Sequence, residues 1–230
     1  MYIVMDTQAE DNFPNSGIID IKSRIIFDQD GLLVLNKPYN LPTSGRNLDD
    51  DDCLQYWLMQ HEEEMIWVIH QLDADTTGLN LFVREKKLVK KYHHLLAHSS
   101  KLYLAIVHGS VNWQCIDVKE PIGKVDERNM GVTEKGKNAH TRFTCLDKNE
   151  DFSLIQAEIF TGRTHQIRIH ASHLGHSLVG EEWYIAPPCN LHPRQALHAW
   201  KVQLGRFNLT APLAKDFEKL MHKLKLKNRS

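Results

Sequence analysis

The chain is poor in features that would staple, anchor or export it. Its 230 residues include four cysteines, Cys53, Cys115, Cys145 and Cys189, and no two of them form a CxxC pair. Scattered in this way they read as free thiols of a reducing compartment, and they argue against a disulfide framework. No segment approaches the roughly 18 consecutive apolar residues that a membrane helix needs. The opening MYIVMD is too short and too acidic for an export signal. A cytoplasmic protein without a membrane association is expected. An excess of charge of one sign is missing too: 28 Lys and Arg stand against 29 Asp and Glu, a formal net charge of −1. Bulk charge therefore gives no support to nucleic-acid binding, which would have to rest on where the charges sit.

What is present is an ordinary globular composition, 42% hydrophobic and 25% charged, long enough to bury a core without metals or disulfides. The charges are clustered. Acidic runs lie at Asp49–Asp52 and Glu62–Glu64, and basic residues gather at Arg84–Lys91, from Lys124 to Arg142, and from Lys219 to Arg229. Any one such run is ordinarily a solvated face.

Residues 1–20, polar and containing Pro14 and Gly17, read as a loose N-terminal arm, and residues 21–230 as a single domain. RIIF and LLVLNK flank DQDG, a hairpin signal, and Pro38 ends the second strand. CLQYWLMQHEE has helical spacing, with Leu54, Trp57 and Leu58 facing inward. A second helix over Arg84–His98 places Leu88, Tyr92, Leu95 and Leu96 on one face. LNLFV, KLYLAIV, FSLIQAEIF and LHAWKVQL read as strands, residues 119–140 as a surface loop or loose hairpin, and the tail from Ala214 as a last helix. TGRT precedes a helix through HQIRIHASHL, with Thr164 as its expected cap and Gly175 as its stop. The sum is α+β, with a mixed, largely antiparallel sheet, flanking helices and a central catalytic cleft.

Two segments have the makings of chemistry. His70-Gln71-Leu72-Asp73 lies in a polar turn between apolar strands, where a carboxylate can face a cleft; Asp73, Asp75, Thr76, Thr77 and Gly78 are equally ordinary turn residues. Thr161-Gly162-Arg163-Thr164-His165-Gln166-Ile167-Arg168 joins backbone N–H groups and arginines at a helix start, which suits an anion. Arg168 could pair with a carboxylate or be a structural arginine. His165, His170, His173 and His176, with His94 and His98, invite a metal reading, but HExxH is absent and no cysteine pair supports one. Tyr103 is either core or a platform for a nucleic-acid base.

In order along the chain, LNKP, HQLDADTTGLNLFV, KLYLAIVHG, TGRTHQIRIHASHLGHSLVGEEWY and LHAW resemble the signatures of the RluA-type RNA pseudouridine synthases, over about residues 24–218. The resemblance implies that Asp73 is the catalytic aspartate, with Tyr103 and Arg168 as its partners. It also implies that the enzyme isomerises a uridine of structured RNA, a ribosomal or transfer RNA stem-loop, to pseudouridine by acting on a flipped-out base. No cofactor and no metal would be needed, because N1–C1′ is exchanged for C5–C1′ within one nucleotide. A carboxylate can attack or shield an electron-poor sugar carbon, and an arginine paired with it would keep it ionised. His70, Gln71, Thr77, Lys37, Arg163, His165 and Gln166 form the expected RNA-contacting set. A monomer is expected, without a preceding S4-like module. The chain departs from the family pattern at Gln71, where an arginine is usual, at Ser177 for proline, at Glu181 for aspartate and at Asn80 for an apolar residue. A non-catalytic RNA-binding or chaperone protein on the same scaffold is the alternative.

Overall fold

The first hairpin forms where Asp30-Gly31 interrupts two apolar runs. Strand β1 (Ile25–Gln29) pairs antiparallel with β2 (Leu32–Lys37), with Gln29 opposite Leu32. Asp30 and Gly31 both have positive φ, 55° and 71°, which is the two-residue turn whose twist matches that of the strands. The computed structural model describes residues 19–127, 129–185 and 190–228. The loose arm expected over residues 1–20 lies outside the described residues except for Ile19 and Asp20. The chain divides into two compact units, Met1–His93 and His94–Ser230.

In the first unit β2 pairs with β4 (Thr77–Val83), and the short β3 (Trp67–Val68) adds to β4. Every residue of β4 is buried, as expected for a strand covered on both faces. Helix α1 (Leu54–Glu62) lays Leu54 and Leu58 on a core of Leu33, Leu35, Leu41, Ile66 and Phe82, which Ile19 and Ile21 extend. At the end of β4, Arg84 bonds Asp28 and Glu64, each at 2.8 Å, and also Glu62. This residue of a basic run and two of an acidic run are thus partners of each other and not separate solvated faces. Helix α2 (Lys86–Ala97) buries Tyr92 and donates the Tyr92 hydroxyl to the Asp30 carbonyl of the hairpin turn.

In the second unit β5 (Lys101–His108) is central, between β10 (Phe152–Ile159) and β11 (Leu197–Leu204). Beyond β10 lie β9 (Thr141–Lys148) and β6 (Cys115–Val118), and β12 (Phe207–Thr210) pairs with β11, all antiparallel. The segment 119–140 is a loose hairpin, β7 (Ile122–Lys124) with β8 (Met130–Val132). Leu104 and Ile106 of β5 pack with Leu154, Trp200, Phe217, Leu220 and Met221, with Leu102 against them. Phe217, Leu220 and Met221 come from α4 (Lys215–Lys223), the helix expected from Ala214 onward.

Helix α3 (Gln166–His173) corrects one expectation. Its first flanking residue is His165, at φ 54°, and no side chain caps it there; Thr164 does not. The left-handed turn at His165 carries the chain into the helix, and the Gln166 side chain accepts the Arg163 N–H instead. The stop is as expected. Gly175 has φ 80° and the His176 N–H reaches back to the Ala171 carbonyl, the closure that glycine favours at a helix end.

The buried Arg194 guanidinium fastens α4 to the segment entering β11. It donates to both Asp216 oxygens, at 2.7 and 2.9 Å, and to the carbonyls of Gln195 and Leu197. Burial alone would raise the Asp216 carboxyl, but His192 and Arg194 hold it far below the usual carboxylate range. Removing one partner of a buried pair costs about 3–5 kcal/mol, so Asp216→Asn should destabilise the fold by an amount of that order in urea unfolding. A depressed folded value means that the ionic contribution is complete above about pH 4 and is lost as the pH falls toward the folded value. The difference between wild type and variant should therefore be smaller at pH 3 than at pH 7.

Candidate active site

The turn that carries Asp73 is held by side chains buried beneath it. Lys37, the last residue of β2, is 1% exposed. Its ammonium donates to three carbonyls, Pro38 at 2.8 Å, Leu41 at 2.7 Å and Ala74 at 2.6 Å. Ala74 directly follows Asp73, and its carbonyl also accepts the Leu41 N–H. On the other side the buried Thr43 hydroxyl accepts the Leu72 N–H at 3.0 Å and donates to Asn80 Oδ1 at 2.9 Å. Asn80 Nδ2 then donates to the His70 carbonyl at 3.1 Å. Residues 70, 72 and 74 are thus all fixed through their backbones, and the Asp73 carbonyl closes a turn onto the Thr76 N–H. The Asp73 side chain itself is half-buried.

Of the residues expected to contact RNA in this unit, Gln71 is exposed and donates to Ser44 Oγ at 2.8 Å. His70 is half-buried and Thr77 is buried at the start of β4. Lys37 was expected to meet phosphate; the structure turns its ammonium inward onto the three carbonyls, where it serves the turn. Asn80, which departs from the apolar pattern of its strand, is the residue that ties Thr43 to His70. Neither Thr43 nor the purpose of Asn80 could be read from the sequence, because their partners lie about 30 and 10 residues away in the chain.

In the second unit Tyr103 stands on β5 on the face opposite Leu102, Leu104 and Ile106, and is 9% exposed. The residues directly opposite it on β10 and β11 are Ala157 and Ala199. Cross-strand neighbours share a face, so the two residues paired with Tyr103 present methyl groups on its side of the sheet.

Arg168 lies in α3, 5% exposed. Its Nε and Nη2 donate to the two oxygens of Glu181, at 2.8 and 2.7 Å, a planar bidentate pair with Glu181 fully buried. The guanidinium carbon is 5.2 Å from the ring centres of both Trp183 and Tyr184. Burial would raise the Glu181 carboxyl, but the bonds and charge of Arg168, with the N–H groups of Trp183 and Tyr184, bring it below its ordinary value. Glu181 therefore stays ionised and fixes the plane of the arginine.

Gln166 is buried, and its amide is fully engaged. It accepts from Thr161 Oγ1 and the Arg163 N–H, and it donates to the His140 carbonyl and Thr141 Oγ1. It shapes the 161–166 turn from within. Arg163 is half-buried, with Nε on the Asn138 carbonyl at 2.8 Å.

The histidines disperse. His165 Nδ1 lies 2.7 Å from the Tyr184 hydroxyl, His176 Nδ1 lies 2.8 Å from the His108 carbonyl, and His170 is held between Thr141 Oγ1 and the Glu120 carbonyl. Among the described residues no three His, Cys, Asp or Glu side chains gather as a metal ion would require. Nor, among them, is any helix long and apolar enough to cross a membrane.

Residues 31–173, which hold the Lys37, Asp73, Tyr103 and Arg168 positions, match the RNA pseudouridylate synthase family. The chain is 29% identical over 229 residues to the ribosomal large subunit pseudouridine synthase C of Pasteurella multocida, covering 90% of this chain and 70% of that protein. It is 30% identical over 219 residues to an uncharacterised RNA pseudouridine synthase of Bacillus subtilis, covering 87% and 72%. Its fold is like that of human RNA pseudouridylate synthase domain containing 4, with a TM-score of 0.76 at 23% identity over 90% of this chain and 95% of that one. The chain belongs to the RNA pseudouridylate synthase family, and is an enzyme that isomerises uridine in RNA.

Lys37→Met keeps the length of the side chain and removes its charge and donors, leaving three carbonyls without this partner. A buried group so abandoned costs about 1–3 kcal/mol. The variant should unfold at lower urea and should lose turnover in a tritium-release assay on 5-tritiated RNA more than its folded fraction explains. Turnover that simply follows the folded fraction would show that the lysine supports the fold alone.

Proposed function

We propose that this enzyme modifies a uridine of ribosomal RNA, with Asp73 as the carboxylate that acts on the nucleotide. The observation that carries this reading is the Asp73 turn. A half-buried carboxylate sits on a loop whose neighbouring residues are fixed through backbone bonds by Lys37, Thr43 and Asn80. Such rigidity suits a group that must meet a sugar carbon in one geometry. The ribosomal assignment rests on relatives named for the large ribosomal subunit.

In this reading the target uridine leaves the RNA stack, at a cost of a few kcal/mol. Asp73 attacks or shields C1′ as the N1–C1′ bond breaks. The freed uracil turns, C5 bonds to C1′, the C5 proton passes to solvent and N1 takes up a proton in its place. Tyr103 provides a stacking face for the base, worth about 1–3 kcal/mol, and Arg168 supplies positive charge. Gln71, exposed beside Asp73 in sequence, takes the place of the arginine usual in the family, and with His70, Thr77, Arg163 and His165 completes the proposed RNA-contacting set. The enzyme works as a cytoplasmic monomer without a cofactor.

Asp73→Asn, which preserves shape and removes charge, should lower tritium release by more than roughly 10³-fold while leaving the urea midpoint near that of wild type. Release within tenfold of wild type would remove Asp73 from the chemistry. Tyr103→Phe should keep most of the affinity and Tyr103→Ala should lose it. If phenylalanine is as poor as alanine, the hydroxyl and not the stacking face is what the reaction uses.

A further inference from the structure

Trp183 is 67% exposed, the most exposed large apolar side chain among the described residues. The backbone that carries this ring is held in place. The Trp183 N–H donates to the buried Glu181 carboxylate at 3.1 Å, as does the N–H of Glu182 at 3.2 Å. The carbonyl of the next residue, Tyr184, accepts from both Ser172 Oγ and Ser177 Oγ, at 2.7 Å each. The ring meets His165 edge-on at 5.1 Å and lies 5.2 Å from the Arg168 guanidinium. Ser177 and Glu181 are among the groups that build this turn.

We infer that Trp183 is a stacking platform for an unpaired RNA base that flanks the target uridine. This rests on the reading of Arg168 as part of the active site, because Trp183 shares its guanidinium. A base suits the ring better than an apolar peptide does. The ring is bordered by a cation and an imidazole, and every base offers a π-face to such a platform. Stacking on a π-face changes little with base identity. The anchored backbone means that little conformational freedom is lost on binding.

The test uses the full chain and a short single-stranded oligouridylate as the probe, with affinity read by fluorescence anisotropy at fixed salt. Trp183→Ala should weaken binding by about 5- to 150-fold, the equivalent of about 1–3 kcal/mol. Trp183→Phe should restore most of the affinity, and Leu48→Ala, another exposed apolar residue, should leave it unchanged. Binding of Trp183→Ala within twofold of wild type overturns the inference. So does an equal loss in Leu48→Ala, which would mean a general surface effect. If Trp183→Ala does not fold, the RNA-dependent quenching of wild-type fluorescence is compared with that of Trp183→Phe. Quenching that vanishes in the phenylalanine variant supports the platform, and quenching that persists unchanged overturns it. A peptide or apolar ligand that binds Trp183 while oligouridylate does not also overturns it. The functional reading is judged separately: it fails if the wild-type enzyme releases no tritium from ribosomal RNA, whatever the oligouridylate titrations give.

Discussion

A buried ammonium is the constraint on which the first unit turns. Lys37 ends a strand with its charge out of water, and three carbonyls take the place of solvent. Because a buried charge is tolerated only when its donors are satisfied, the positions of Pro38, Leu41 and Ala74 are tied to one atom. The ammonium therefore draws the start of the 38–42 loop and the Asp73 turn onto the end of β2. The Thr43–Asn80 pair completes the arrangement from the other side. A carboxylate on an otherwise polar turn, of a kind that surfaces carry in number, acquires a fixed address in this way.

The second unit solves a related problem with opposite charges. Arg168 and Glu181 are both withdrawn from water, and each satisfies the other in a planar bidentate pair. Glu181 has acceptor capacity to spare, and the N–H groups of residues 182 and 183 use it. One carboxylate therefore sets the plane of the candidate arginine and the path of the turn that bears Trp183. Arg168 and the turn that bears Trp183 thus share a single support, and changes at Glu181 will be felt in both.

Much of this was legible in the sequence, for physical reasons that differ by element. The β1–β2 hairpin was evident because Asp-Gly specifies its own turn, and α1, α2 and β5 because their apolar residues recur with one period. Strands β6, β9 and β12 escaped notice: TRFTCLDK alternates weakly and carries Arg142, Asp147 and Lys148, whose charges mask an edge-side strand. The cap of α3 was misplaced at Thr164, since threonine favours caps in general while the left-handed His165 is set by tertiary context. The order of family motifs pointed to Asp73, Tyr103 and Arg168. It could not reveal that Lys37 faces inward or that Gln166 spends its amide on the 161–166 turn, because both depend on partners brought together only by folding.

The claim that matters most is that the Asp73 carboxylate makes pseudouridine in cellular RNA. It is tested by mapping pseudouridines across ribosomal RNA from cells lacking the gene, after complementation with either the wild-type gene or its Asp73→Asn form at equal protein level. The account predicts that a modification lost on deletion returns with the wild type and stays absent with the variant. Return of the modification with Asp73→Asn, or no ribosomal position lost on deletion, would contradict it.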